Sequence, residues 1–188
     1  MLFRSAPGNN TKWVNTGNIA AEGSTIFGAE LLYNRGPFSV QAEYDWAFIN
    51  SAIVGGKNQG NIGFTGGYVQ VGYFLTGESR QYDRRFGRLN SEYISRPNTP
   101  FWLVRGEDGR FNYGLGAWEV AGRFSRIDLN DPAVRAGILD QFEAGVNWHL
   151  NNNLRVQFMF LHANRFDMPN NVPGSWMNGF GIRTQLTF

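Results

Sequence analysis

Arginine is the residue type in this chain best equipped for chemistry. Fifteen of its 17 basic residues are arginine, and seven of these fall in the single stretch Thr76–Gly116: Arg80, Arg84, Arg85, Arg88, Arg96, Arg105 and Arg110. A guanidinium is planar, permanently charged and presents a fork of N–H donors. Clustered arginines therefore suit bidentate contact with oxyanions and stacking on aromatic rings. Partners of both kinds share the stretch, the acids Glu78, Asp83, Glu92, Glu107 and Asp108 and the aromatics Tyr82, Phe86, Tyr93, Phe101, Trp102, Phe111 and Tyr113. Two roles are open to it. It could be a scaffold of arginine–carboxylate and arginine–aromatic contacts, or a constriction that presents Arg80, Arg84, Arg85 and Arg88 to passing anions. Arg123 and Arg183 stand apart from it, each the polar member of an alternating apolar run.

Other chemistries find no support. The chain has no cysteine, which removes disulfide, thiol and zinc-finger readings. His149 and His162 are distant and have no ligand pattern around them, so neither a metal nor a cofactor is expected. Glu43 and Asp45 share a strand face, but nothing beside them would raise one carboxyl's pKa for glycoside hydrolysis. A membrane phospholipase would need His and Ser on one outward face, whereas His162 and Ser125 fall on opposite faces by parity. Gly114-Leu115-Gly116 is followed by no helix and is no phosphate loop. The net charge of +2 does not make a nucleic-acid surface. The chain reads as something other than an enzyme.

The elements that position the arginines are strands. Phe38, Val40, Ala42, Tyr44, Trp46 and Phe48 alternate with Ser39, Gln41, Glu43, Asp45 and Ala47. A period of two means an extended segment with one apolar and one wet face. The same alternation marks 25–33, 66–75, 117–127, 140–150, 155–163 and 177–188, giving seven strands, with a stub at Met1–Arg4. Between them lie the turns Asn34–Pro37 and Asn151–Asn153, the loops 5–23, 50–61, 128–137 and 164–176, and the long irregular connection 76–116. No helical pattern occurs, and no run approaches the roughly 18 apolar residues of a membrane helix. The expected fold is an all-β antiparallel meander of seven to eight strands. Aromatics at 15% and 24 glycines, with alternating segments of this length, are the signature of a transmembrane β-barrel.

The last strand supplies an orientation. A chain ending on an aromatic strand, Phe180, Ile182, Thr184, Leu186 and Phe188, is similar to the end that bacterial barrel assembly machinery reads. With Phe188 at the periplasmic rim, the short turns 34–37 and 151–153 fall on the periplasmic side and the loops 50–61, 128–137 and 164–176 outside, as such barrels require. Only 76–116 breaks the rule: it should be periplasmic and short, and it is long. Polar-face residues by parity are Glu30, Gln41, Glu43, Asp45, Gln70, Glu119, Arg123, Glu143, Arg155, Arg183 and Gln185. Ordinary wet wall accounts for most of them; Arg123 and Arg183, near mid-strand, are candidates for an anion pathway. Tyr44, Trp46, Trp118 and Trp148 suit an interfacial aromatic girdle. Met1–Ser5 lacks the apolar stretch of a signal peptide, so an outer-membrane reading expects the amino-terminal part to be missing here.

Several of these stretches together resemble one family. GYVQVGYFLTGE at 67–78, GAWEVAGRFSRIDLND at 116–131, and GVNWHLN at 145–151 with Arg155-Val156-Gln157 resemble segments of the phosphate-selective porin O and P family. Leu2-Phe3-Arg4-Ser5 and Gly36-Pro37-Phe38 match in order. The resemblance covers essentially the whole chain. It implies the carboxy-terminal half of a sixteen-stranded, trimeric outer-membrane porin in contact with lipid and lipopolysaccharide, passing anions such as phosphate or polyphosphate. It also makes 76–116 a candidate for folding into the lumen. The family's constriction loop and lysine cluster belong largely to the other half, so phosphate preference does not carry over. Two rivals remain: a small eight-stranded membrane barrel acting as anchor or adhesin, and a soluble lipocalin-like binding barrel.

Overall fold

The computed structural model describes residues 13–85, 87–94, 101–105, 109–167 and 173–187, with backbone alone at residues 88, 90–94, 103–105 and 112. The expected stub at Met1–Arg4 and the terminal Phe188 lie outside the described residues.

Among the described residues thirteen strands follow one another: β1 (Gly23–Arg35), β2 (Phe38–Asn50), β3 (Ile53–Val54), β4 (Lys57–Asn58), β5 (Ile62–Phe74), β6 (Arg80–Asp83), β7 (Arg88–Ile94), β8 (Trp102–Arg105), β9 (Phe111–Gly114), β10 (Ala117–Asp131), β11 (Val134–His149), β12 (Leu154–Phe166) and β13 (Ser175–Leu186). Seven of them form one antiparallel sheet in the order β1-β2-β5-β10-β11-β12-β13. The remaining six make three two-stranded hairpins. No helix occurs among the described residues.

Sidedness follows the alternation, and it is the reverse of a soluble sheet. Phe180 and Ile182 are 82% and 75% exposed, and Phe27, Tyr44, Phe48, Val69, Tyr73, Phe124, Phe142 and Phe158 on the same side of the sheet are exposed too. The other side carries buried polar side chains, Ser39, Glu119, Glu143, Asn147, Arg155 and Gln157, beside apolar ones such as Phe74, Ala117, Ala121 and Leu161. The larger apolar cluster also sits on that polar side, at one end of the strands. There Ala52, Ile62, Phe64, Val134 and Ala136 pack with Ile19, Ile49 and Leu129. The 50–61 connection, expected to be a plain loop, folds back as the hairpin β3–β4 to complete it.

Two further segments differ from expectation. Residues 128–137, read as a loop, are strand on both sides of a turn at Pro132-Ala133. Short polar side chains close that turn by replacing backbone partners. Asp131 Oδ1 accepts from the Ala133 amide at 3.1 Å, and Asn130 Oδ1 accepts from the Ala136 and Gly137 amides at 2.9 and 2.8 Å. The register slips between Asp128 and Asn130 to allow it. The connection 76–116, read as irregular, carries two hairpins, β6–β7 and β8–β9.

Asn130 also donates to Asp167 Oδ2 at 2.8 Å, joining the β10–β11 turn to the end of β12. Replacing it by alanine strands two amide donors, and Asn130→Ala should cost about 1–3 kcal/mol. The expected readout is a lower temperature for loss of the compact band in heat-modifiable gel migration; an unchanged temperature would show that water replaces the side chain.

Candidate functional site

The polar face is built from cross-strand rows. Antiparallel pairing places Gln41 opposite Gln70, Gln70 opposite Arg123, and Arg123 opposite Glu143. Two rows nearer the β5–β10 connection, Glu119 faces Asn147, Asn147 faces Gln157, and Gln157 faces Arg183. Residues far apart in sequence thus become lateral neighbours at cross-strand distances.

Glu119 is the hub. Its carboxylate is 0% exposed and Arg80, from the long connection, is 7% exposed. Arg80 donates to Glu119 Oε1 through Nε at 2.8 Å and Nη2 at 2.6 Å. Asn147 donates to Glu119 Oε2 at 2.9 Å and in turn accepts from Gln157 at 2.7 Å. His149 Nε2 lies 3.7 Å from Oε2. One carboxylate therefore ties together β6, β10, β11 and β12. Gly72 makes the space: a Cβ there would sit 2.8 Å from Glu119 Oε1 and 2.9 Å from Ser39 Oγ. The start of the connection is held by further bonds. Thr76 Oγ1 accepts from the Trp118 amide at 3.0 Å and donates to Glu78, and Asn34 Nδ2 donates to the Arg80 carbonyl at 2.8 Å.

Arg123 has a different setting. Its guanidinium stacks over the Tyr68 ring at 3.8 Å, and the Tyr68 hydroxyl accepts from Gln41 at 2.9 Å. Among the described residues no carboxylate stands within ion-pair distance of it. Stacking engages the face of a guanidinium and leaves its N–H edges directed elsewhere. Glu143 across the strand instead takes a hydrogen bond from Gln141.

The other candidates are scattered. Arg183 is exposed on β13, in register with Gln157. Arg84 and Arg85 are exposed in the β6–β7 turn, which the Asp83 carboxylate caps by accepting the Arg85 amide at 3.0 Å. Arg88 opens β7, and its side chain lies outside the described residues. Among the described side chains, Arg80 is paired to Glu119, while Arg123 and Arg183 sit on separate strands of one face. Sequence reasoning placed Glu119 on this face without seeing it as a hub. The signal lay in the coincidence of Glu119, Asn147 and Gln157 at equal distances from their turns, legible only once register is known. Among the described residues no group of His, Asp and Glu could hold a metal ion.

The apolar face carries aromatic pairs at the ends of the strands. Trp118 and Trp148 stack at 5.1 Å with planes 20° apart, and Tyr44 meets Trp46 edge-on at 4.6 Å. An apolar groove lined in part by Leu31, Ala42, Gly67, Val69 and Phe124 lies on the same side, away from the Glu119 network.

A family model described as phosphate-selective porin O and P matches residues 4–188. The chain is similar to Porin O of Pseudomonas aeruginosa, 29% identical over 173 residues that make up 87% of this chain and 35% of that protein. It is similar also to an uncharacterized protein of Caulobacter vibrioides, 29% identical over 152 residues, 81% of this chain and 27% of that protein. The chain thus spans about a third of the length of the curated relatives it matches.

Removing one partner of a buried ion pair leaves an uncompensated charge, at a cost of about 3–5 kcal/mol. Glu119→Ala should therefore free the start of the connection. The expected result is faster tryptic cleavage after Arg84 and Arg85 while the seven-stranded sheet stays protected; equal cleavage rates would mean that Glu119 does not hold the segment.

Proposed function

The chain belongs to the phosphate-selective porin O and P family, and from that premise we propose that it forms part of the wall of an outer-membrane barrel through which small anions diffuse passively. The carrying observation is the sidedness of the sheet. Phe27, Phe124, Phe142, Phe158, Phe180 and Ile182 are exposed on one side, and the other side is polar. An apolar face of this extent suits acyl chains, and the polar face suits a water-filled lumen. A soluble binding barrel would turn its apolar face inward.

In this reading the arginines divide by role. Arg123, stacked on Tyr68, and Arg183 are the wall charges that favour anions, and Arg84, Arg85 and Arg88 add to them from the first hairpin of the long connection. Arg80 acts through position: paired to Glu119, it holds the start of that connection against the lumen wall. Glu30, Glu43 and Asp45 oppose the arginines on β1 and β2, so selectivity is modest. Phosphate is the solute suggested by the family's description, and polyphosphate follows as its polymer. The full-length protein is a homotrimer set in lipid and lipopolysaccharide, with Phe188 as the end engaged by the barrel assembly machinery. The anchor or adhesin reading is less favoured, because small barrels fill their interior with side chains. Here Gly72, Ala121 and Gly145 follow one another across the polar face, with Gly181 beyond Met159 in the same row.

Single-channel recording on the full-length protein tests this. A unit charge about 5 Å from a permeating ion in water is worth somewhat under 1 kcal/mol, so Arg123→Ala should lower chloride-over-potassium permeability by about two- to fivefold. Arg84→Ala, Arg85→Ala and Arg88→Ala combined should lower it less. No conductance at all would favour the anchor, and conductance with unchanged preference in both variants would sink the anion pathway.

A further inference from the structure

The second half of the long connection leaves the polar face, and its attachments indicate where it goes. Both ends of the β8–β9 hairpin are fixed to aromatic residues of the apolar face. At the entry, the Phe101 amide donates to the Leu150 carbonyl at 2.7 Å, and the Phe101 ring meets Trp148 edge-on at 4.9 Å. At the exit, the Leu115 carbonyl accepts from two indoles, Trp148 Nε1 at 2.8 Å and Trp118 Nε1 at 3.2 Å. Gly116 permits this close approach. Its φ is +70°, and a Cβ there would lie 2.4 Å from the His149 carbonyl oxygen and 3.2 Å from Trp148 Nε1.

From that root the hairpin presents an apolar stripe. Phe111, Tyr113 and Leu115 alternate along the returning segment, at 65%, 78% and 70% exposure, and Trp102, paired with Gly114 at the root of the hairpin, is exposed as well. A stripe of this size facing water would be unfavourable. Tyr, Phe and Leu rooted on the Trp118 and Trp148 indoles make the composition that accumulates where hydrocarbon meets headgroups, since indole and phenol rings have an apolar body and a polar handle. The stripe also continues the surface that the proposed function assigns to acyl chains, with Trp118 and Trp148 as the junction.

We infer that the β8–β9 hairpin is a lipid-binding foot, with Phe111, Tyr113 and Leu115 lying in the headgroup layer of the leaflet at the β5–β10 end of the strands. The occupant is the bilayer interface. The long connection is thereby split: Arg80 anchors its start on the polar face and Leu115 anchors its end on the lipid side. This inference rests on the membrane-spanning reading, so its test carries a separate control for that reading.

The chain has no native cysteine, so Tyr113→Cys and Phe158→Cys each introduce a single thiol into it. Each variant of the full-length protein is labelled with an environment-sensitive fluorophore and reconstituted in phosphatidylethanolamine–phosphatidylglycerol vesicles. Doxyl groups are carried either near the headgroup or deep in the acyl chain, and iodide serves as the aqueous quencher. Phe158, on the exposed wall, reports membrane insertion. The expected result is quenching at 158 by the deep doxyl lipid and at 113 by the shallow one, with little effect of iodide at 113. Quenching at 158 with iodide access at 113 overturns the foot and leaves the barrel standing. Quenching at 158 with neither quencher reaching 113 also overturns it, placing the stripe between protein copies. Absence of lipid quenching at both positions overturns the membrane reading and the foot together.

Discussion

A chain that crosses hydrocarbon has nowhere to place an unpaired peptide group except in its own hydrogen-bonded ladder. The seven-stranded sheet meets that constraint along its length, with registers running without interruption over most strand pairs. Under the proposed function the same medium takes the large apolar side chains of one face and leaves the polar ones on the opposite face. The usual relation between burial and hydrophobicity is thereby inverted. Exposed phenylalanines and buried glutamate, asparagine and glutamine are what this sheet should have.

A polar face buried under its own connections creates a second problem, because charges taken from water must find partners. Glu119 is the clearest case. Its desolvation is offset by a guanidinium held through two nitrogens, by Asn147 and by the nearby His149 ring. Such networks are worth most when fully satisfied and are costly when partly satisfied. The result is mechanical as well as electrostatic, since the arginine that compensates Glu119 also brings the long connection onto the wall. Arg123 solves the problem differently, by stacking on Tyr68, and keeps its donors available.

The long connection joins these two regimes. Its first hairpin is tied to the polar face by Arg80 and its second to the apolar face by Leu115 and the indoles of Trp118 and Trp148. A segment rich in both arginine and aromatics can serve two solvents in this way, each half satisfied by a different side of the same sheet.

The period of two, unbroken by any helical pattern, determined from sequence alone that the chain is all-β, which side of each strand is apolar, and that Tyr68, Glu119 and Arg123 share the polar face. The combined motifs at 67–78, 116–131 and 145–157 identified the family. Local alternation is a property of successive residues, so it survives without knowledge of the fold. Sequence did not show that residues 128–137 close as a tight turn, because Asn130 and Asp131 act there through hydrogen bonds that composition alone reads as loop. Nor did it show which arginine is bound and which is open. Arg80 and Glu119 are 39 residues apart, and Tyr68 and Arg123 lie on different strands. The second pairing exists only through the register of β5 and β10 and the first only through the folding of β6 onto the sheet, and neither is set by a single stretch of chain.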